Sequence, residues 1–281
     1  MKLAWHVGVT EDGDGRLPKA DDLWKVLEDY ACMVVGPDAT VKLRFSRFPS
    51  LSTQPYLGAV HSVLLAEEAL QCEREGFDGL LLGAATDSGL DEVRSIASIP
   101  VVASIESALR LSGFVGRKVG VVTIGGMDTQ NAYAGAMMGN VIKYHLQECL
   151  LKDRPVRPIP LPWADFYAIF SDAVAGNGAE FLAAFDKVTS DFYDIGAEVI
   201  VCGNQFFGGV LHHLGRRAQT SRGIPYIDNA AAGLHMLKSM VALGRTVGLR
   251  KSDVGSFRPA PEAAFKAVPS WLHDLHNRAG K

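Results

Sequence analysis

The sequence predicts an α/β protein made of two pseudo-symmetric parallel-sheet lobes with a cleft between them. Three observations carry this expectation. Short apolar runs recur along the chain, most of them continuous rather than alternating, as strands covered on both faces require. Helical patterns lie between these runs, so strand alternates with helix. The third observation is an internal repeat.

Buried strands are expected at residues 3–9, 40–45, 79–82, 101–105, 119–124, 199–202 and 225–227, each bounded by glycine, proline or polar residues. One helix is expected over 58–75, with Val60, Val63, Leu64 and Leu70 on one face. Another is expected over 179–194, with Phe181, Leu182, Phe185, Val188 and Phe192 inward. In the repeat, Gly76, Gly83 and Ala84 match Gly196, Gly203 and Asn204. Ile99-Pro100 matches Ile224-Pro225, and the run opened by Lys2 matches the run opened by Lys118. The offsets are 120, 125 and 116 residues. The expected organisation is a first α/β lobe over 1–113, a second over 114–225, and a C-terminal segment, 226–281, that returns to the first lobe. Ligands of open parallel sheets sit beyond the carboxyl ends of the strands. Ala84 and Asn204 are then equivalent positions on the two sides of one cleft.

Composition narrows the partners. Of 281 residues, 48% are hydrophobic and 21% charged, an ordinary balance for a globular chain. The net charge of −3 does not suit a nucleic-acid surface. No apolar run has the length of a membrane span. Cys32, Cys72, Cys149 and Cys202 lie far apart with no CxxC, which points to free thiols in the cytoplasm. The expected partner is a small-molecule substrate, and a homo-oligomer is expected.

The segments 76–90, 99–108, 116–123, 196–204 and 223–228 resemble the aspartate/glutamate/hydantoin racemase superfamily, its hydantoin racemase branch most. They follow in the family's order, whereas the first 75 residues match little beyond the first strand and Thr10. The resemblance implies two Rossmann-like lobes with the site between them. It also implies a cysteine after the glycine in each repeat, the two thiols exchanging protons on opposite faces of a substrate carbon. Those positions here are Ala84 and Asn204. Alanine takes up no proton, and an amide is no useful base near neutral pH. Cys202 lies inside a strand and is expected in the core.

The remaining chemistry is read from the strand ends. The turn from Ala84 and Ala85 through Thr86 and Asp87 opens a helix, where N–H groups favour an anion or a polarised carbonyl. Thr86 is placed to meet a substrate oxygen. Asp87 has two readings of equal weight, a helix N-cap and a catalytic carboxylate. Asn204 and Gln205 begin the equivalent turn, and Asn204 is expected to orient a water or donate to a developing oxyanion rather than only to close the turn. Thr10, Thr123 and Gly125 end or follow first strands of the two halves. Glu106 and Asp228 are read as pseudo-equivalent, as caps or as a carboxylate pair. Arg47 is either a solvated side chain or a clamp on a substrate carboxylate, with Thr53 in the same loop. The expected catalytic residues are thus Asn204, Asp87 and Thr86, with the others binding substrate. No HxH or HExxH motif is present, and no cofactor is evident. A divalent metal built from distant residues, for example His6, His61 and a carboxylate, is left open. The Phe166, Tyr167 and Phe170 cluster is expected to be core.

The expected function is that of an enzyme of this superfamily without the two thiols. Hydrolase or lyase chemistry on a hydantoin-like cyclic amide or a dicarboxylate is expected. One specific candidate is a desulfhydrase acting on a thiohydantoin propionate, whose carboxylate suits Arg47. The alternatives are a ligand-binding protein on the same fold and a racemase with other bases.

Overall fold

The computed structural model describes residues 1–13, 15, 21–48, 55–125, 130–161, 166–261, 263–264 and 267–268. It contains two four-stranded sheets, every strand pair parallel. The first comprises β1 (Lys2–His6), β2 (Thr40–Arg44), β3 (Gly79–Leu82) and β4 (Val101–Ala103), ordered β2-β1-β3-β4. The second comprises β5 (Val119–Thr123), β6 (Val156–Pro158), β7 (Val199–Cys202) and β8 (Tyr226–Asp228), ordered β6-β5-β7-β8. The order is the same in both. The register repeats too: Leu3 faces Gly79 as Val119 faces Val199, and Leu80 faces Val101 as Ile200 faces Tyr226. All three sequence offsets survive as strand register.

Helices connect and cover the strands: α1 (Asp21–Val35), α2 (Pro55–Arg74), α3 (Leu90–Ile96) and α4 (Ser104–Ser112) in the first half. In the second are α5 (Gln130–Lys143), α6 (Phe166–Val174), α7 (Ala179–Asp194), α8 (Phe207–His213) and α9 (Asn229–Val247). The expected helix at 179–194 has these bounds, and Phe181, Phe185, Val188 and Phe192 form its buried stripe. All seven expected strands form. An eighth, β6, was not expected: it carries Arg157 and Pro158 and pairs only with β5. Such an edge strand tolerates proline and lacks an apolar signal. β8 lies beyond residue 225 and pairs with β7, so the second sheet takes up the first residues of the expected C-terminal segment. The following helix, α9, packs on α4, α1 and β3.

The repeated glycines have a steric cause. Gly76 follows α2 with φ +72°, and Gly196 follows α7 with φ +84°. Behind each, a backbone N–H reaches five residues back into the helix, Phe77 to Cys72 and Ala197 to Phe192. This left-handed close turns the chain from helix into β3 or β7.

The largest apolar cluster spans both halves. Trp5 of β1, Val7 just after it and Leu27 of α1 join Phe170, Phe181, Phe206 and Phe207, all essentially inaccessible. Phe166, Tyr167 and Phe170 are buried within it, as expected. Aromatic rings meet mainly edge to face, Phe170 on Phe206 at 6.0 Å and on Phe207 at 5.9 Å.

Candidate active site

The two repeated turns leave the carboxyl ends of β3 and β7. Gly83 N–H donates to the His6 carbonyl at 2.9 Å, and Gly203 N–H donates to the Val122 carbonyl at 2.6 Å. These bonds tie each turn to the neighbouring interior strand of its own sheet, β1 or β5. A β-carbon on Gly83 would sit 2.9 Å from the His6 oxygen, and one on Gly203 would sit 2.9 Å from the Val122 oxygen. Only glycine permits that approach. The next residues, Ala84 and Asn204, therefore occupy matching places. Ala84 is half-buried, and a β-carbon on Gly8 would meet its methyl at 3.1 Å. Asn204 is buried, and its Oδ1 accepts the Phe206 N–H at 2.9 Å.

Each turn is gripped by the opposite half. Gln205 reaches β1: its Oε1 accepts the Trp5 indole N–H at 3.2 Å, and its Nε2 donates to the Val7 carbonyl. Its polar atoms thus join the halves. On the other side, Asn140 of α5 donates to the Thr86 carbonyl. The Thr86 hydroxyl shares a 2.7 Å hydrogen bond with Ser88.

Asp87 caps a helix, but not the one its turn opens. The α3 N-cap is Gly89, which has no side chain to offer. Asp87 instead reaches α4, accepting Ile105 N–H at 3.1 Å and Glu106 N–H at 2.8 Å, and also the Tyr144 hydroxyl at 3.0 Å. Burial pushes its carboxyl up to about 7, against the opposing pull of these three donors. Asp228 is the N-cap of α9, accepting Ala230 N–H at 3.2 Å and Ala231 N–H at 3.0 Å, with the Tyr30 hydroxyl at 2.9 Å. Burial raises it to about 6. The expected equivalence of Glu106 and Asp228 is corrected by the register. Leu82 faces Ala103 as Cys202 faces Asp228, so Asp228 matches Ala103. The Glu106 carboxylate is held instead by Arg94 at 2.8 Å and Arg110 at 3.0 Å.

The remaining candidates scatter along the same end. Thr10 donates to Asp12 at 2.5 Å. Thr123 is buried and donates to the Gly203 carbonyl at 3.3 Å, and Gly125 follows it two residues on. Thr53 lies outside the described residues. Arg47 is exposed and lines a small cavity with His6, Ser46 and His61. Its neighbour Arg44 is committed to Glu68 at 2.5 Å and Glu75 at 2.9 Å. Burial lowers His6 to about 3, helped by His61 and Arg44, and lowers His61 to about 4, so both rings are neutral near pH 7. The rings lie 6.3 Å apart, but among the described residues no group of three His, Cys, Asp or Glu side chains is placed to hold a metal ion.

The sequence missed Tyr30, Tyr144 and Asn140, whose roles are tertiary. It also missed Asn229, the residue after Asp228. Asn229 is fully buried, and among the described residues neither its Oδ1 nor its Nδ2 finds a partner. Its equivalent by register, Ser104, donates to the Gly83 carbonyl at 3.3 Å. An orphaned amide costs about 1–3 kcal/mol per group, and this one lies at the first residue of α9, directly after the carboxyl end of β8. No cysteine lies in either turn. Cys202 is buried in β7, Cys72 is buried in α2, and burial pushes both thiols above the ordinary range.

Two parallel sheets of one topology, paired turns and a junction of polar grips define a two-lobed α/β protein, with the candidate site residues gathered at the strand ends. The Asp/Glu/hydantoin racemase family model matches residues 27–237, and the chain belongs to that family. It is 28% identical to a hydantoin racemase of Paenarthrobacter aurescens over 227 residues, covering 79% of this chain and 87% of the relative. Among solved structures it resembles allantoin racemase from Klebsiella pneumoniae, with a TM-score of 0.69 and 17% identity over 93% of this chain and 94% of the other. It also resembles allantoin racemase from Pseudomonas fluorescens, with a TM-score of 0.68 and 16% identity over 93% and 98%. A Gly74Cys mutant of arylmalonate decarboxylase shares the fold at a TM-score of 0.50, with 13% identity over 87% and 94%. No described helix is long and apolar enough to cross a membrane.

Proposed function

We propose that the chain is a cytoplasmic enzyme acting on a small five-membered cyclic amide of the hydantoin type, by hydrolytic or lyase chemistry that does not pass through paired thiols. The observation that carries this reading is the pair of residues at the matching turn positions, Ala84 and Asn204, with every cysteine elsewhere. A thiol kept protonated by burial is a poor nucleophile and a poor base. Asn204 then serves the developing oxyanion. Asn229 supports the substrate class. A carboxamide sets a donor beside an acceptor, the complement of the N–H and C=O on one edge of such a ring. Arg47 supplies a carboxylate clamp, which makes a thiohydantoin propionate the specific candidate: water replaces the ring sulfur, which leaves as sulfide.

A second reading, racemisation with bases other than thiols, is favoured by the names of the relatives and by two buried carboxyls, Asp87 and Asp228, that burial raises to about 7 and about 6. One experiment separates the two. The purified protein is incubated in deuterium oxide with single enantiomers of a hydantoin, allantoin and the thiohydantoin propionate. Ring opening or sulfide release supports the first reading. Loss of optical rotation with deuterium uptake and an intact ring supports the second and overturns the first. Saturable binding with neither change leaves a ligand-binding protein.

A further inference from the structure

At the opposite end of the first sheet lies a cavity of about 560 Å³. It is enclosed by α4, α9 and the segment 249–257, at the amino ends of β3 and β4. That size falls in the range of small-molecule sites. Its wall is mostly apolar, with Val101, Met240, Val241 and Phe257 among the lining. The charged residues around it are unbalanced, five cationic side chains against two carboxylates. Arg94 and Arg110 share Glu106, and Arg245 meets Asp78 at 2.6 Å. Arg250 and Lys251, whose ammonium also donates to the Arg94 carbonyl at 2.7 Å, supply two of the three excess positive charges beside the apolar wall, and the Arg94–Arg110 pair on one Glu106 supplies the third. An apolar chamber with a net positive mouth complements a molecule of the inverse design.

We propose that this cavity is a second binding site, for a small anionic amphiphile: an apolar chain or aryl-alkyl group carrying one carboxylate or sulfonate. Its apolar part lies between α4 and α9, and its anion lies by Arg250 and Lys251. The cavity is linked to the candidate active site through one residue. The Glu106 side chain takes part in the mouth through Arg94 and Arg110, while its backbone N–H donates to Asp87 in the β3 turn. Helix α4 begins at the carboxyl end of β4, in the same sheet as that turn, and α9, which begins after β8 in the second sheet, packs along α4; both reach the cavity. A ligand between them acts on the Asp87 cap.

The test uses the full chain, with decanoate as the probe and decyltrimethylammonium and butyrate as controls, by calorimetry at low salt. Saturable binding of one decanoate per chain is expected, with both controls at least about tenfold weaker, a difference of about 1.4 kcal/mol. Met240→Trp fills the chamber and is expected to weaken decanoate about tenfold or more. The surface variant Arg250→Glu keeps the test alive if Met240→Trp misfolds. It is expected to weaken decanoate about fivefold at low salt and less at high salt. Equal binding of the cationic probe, or unchanged binding in Arg250→Glu, overturns the proposal. So does absence of decanoate binding together with a smaller sedimenting species in Met240→Trp, which assigns the cavity to a second copy of the chain. Decanoate is also expected to slow amide exchange at Ile105 and Glu106. Binding without that change overturns the link to the turn.

Discussion

Asp87 does for α4 what Asp228 does for α9. The capped N–H groups, Ile105 and Glu106 in one case and Ala230 and Ala231 in the other, are equivalent by register. The carboxylates are not, since Asp228 caps its own helix and Asp87 reaches α4 from the turn after β3. To do so Asp87 holds φ +46°, a left-handed value that few side chains adopt. Each carboxylate also accepts a tyrosine hydroxyl from the other half. Tyr144 directly follows α5, and Tyr30 lies in α1, the helix that follows the equivalent strand.

Loss of either hydroxyl is therefore expected to loosen the junction. Tyr30→Phe and Tyr144→Phe should each lower unfolding free energy by about 1–2 kcal/mol, the range for a hydrogen bond to a buried acceptor. Urea titrations check this. If the pairs are independent, as their separate partners suggest, the double variant should show additive losses.

The buried carboxyls set a pH dependence. Asp87 rises from an ordinary 3.8 to about 7, and Asp228 from 3.8 to about 6. The folded chain thus binds protons that the unfolded chain has released. Their contribution is full below about pH 4 and is lost as pH rises through 6 and 7. His6 and His61 act oppositely. Their folded values lie below the ordinary 6.5, so their contribution is present above pH 6.5 and lost as pH falls toward 4 and 3. Asp87→Asn should consequently gain stability relative to the parent as pH rises from 4 to 8. Melting temperatures of both proteins across that range test the sign. A constant difference between them refutes the elevated value.

Activity should survive without sulfur. Replacing Cys32, Cys72, Cys149 and Cys202 together by Ala or Ser is expected to leave turnover within a few-fold of the parent in whatever fraction folds. Circular dichroism and active-site titration separate misfolding from chemistry. Loss of turnover in the folded fraction restores a thiol to the mechanism.

Asn229 should trade stability for binding. Asn229→Ala removes an amide with no partner, so the ligand-free chain should be no less stable and should gain up to about 1–3 kcal/mol. The rise in melting temperature that substrate produces should shrink in the same variant. A plain loss of stability with unaltered substrate protection would identify Asn229 as structural.

Strand positions were legible because both faces of these sheets are covered, which writes each strand as an unbroken apolar run. The repeat was legible because Gly76, Gly196, Gly83 and Gly203 are fixed by steric needs that recur. β6 carries no such signal, being a short edge strand with proline at its end. The helix that Asp87 caps and the equivalence of Glu106 with Asp228 were misread for a different reason. Helix caps are read from neighbours in sequence, but Asp87 caps a helix that starts 17 residues later, at Ser104. The isolation of Asn229 is invisible in principle, since only packing shows that an amide has no partner. Thr53 lies outside the described residues, so its expected part in substrate binding is carried by the sequence alone.

The bond from the Trp5 indole to Gln205 makes the junction optically readable. Trp5 belongs to β1, and its partner follows β7 in the other half, so any parting of the two removes a donor–acceptor contact from a fully buried indole. Admitted water would shift its emission to longer wavelength and expose it to quenching by iodide. With Trp24, Trp163 and Trp271 replaced by Phe so that Trp5 is the sole indole, the protein carries an unlabelled gauge of its own opening, calibrated by Gln205→Leu, through which ligands of the candidate site can be screened before any product is known.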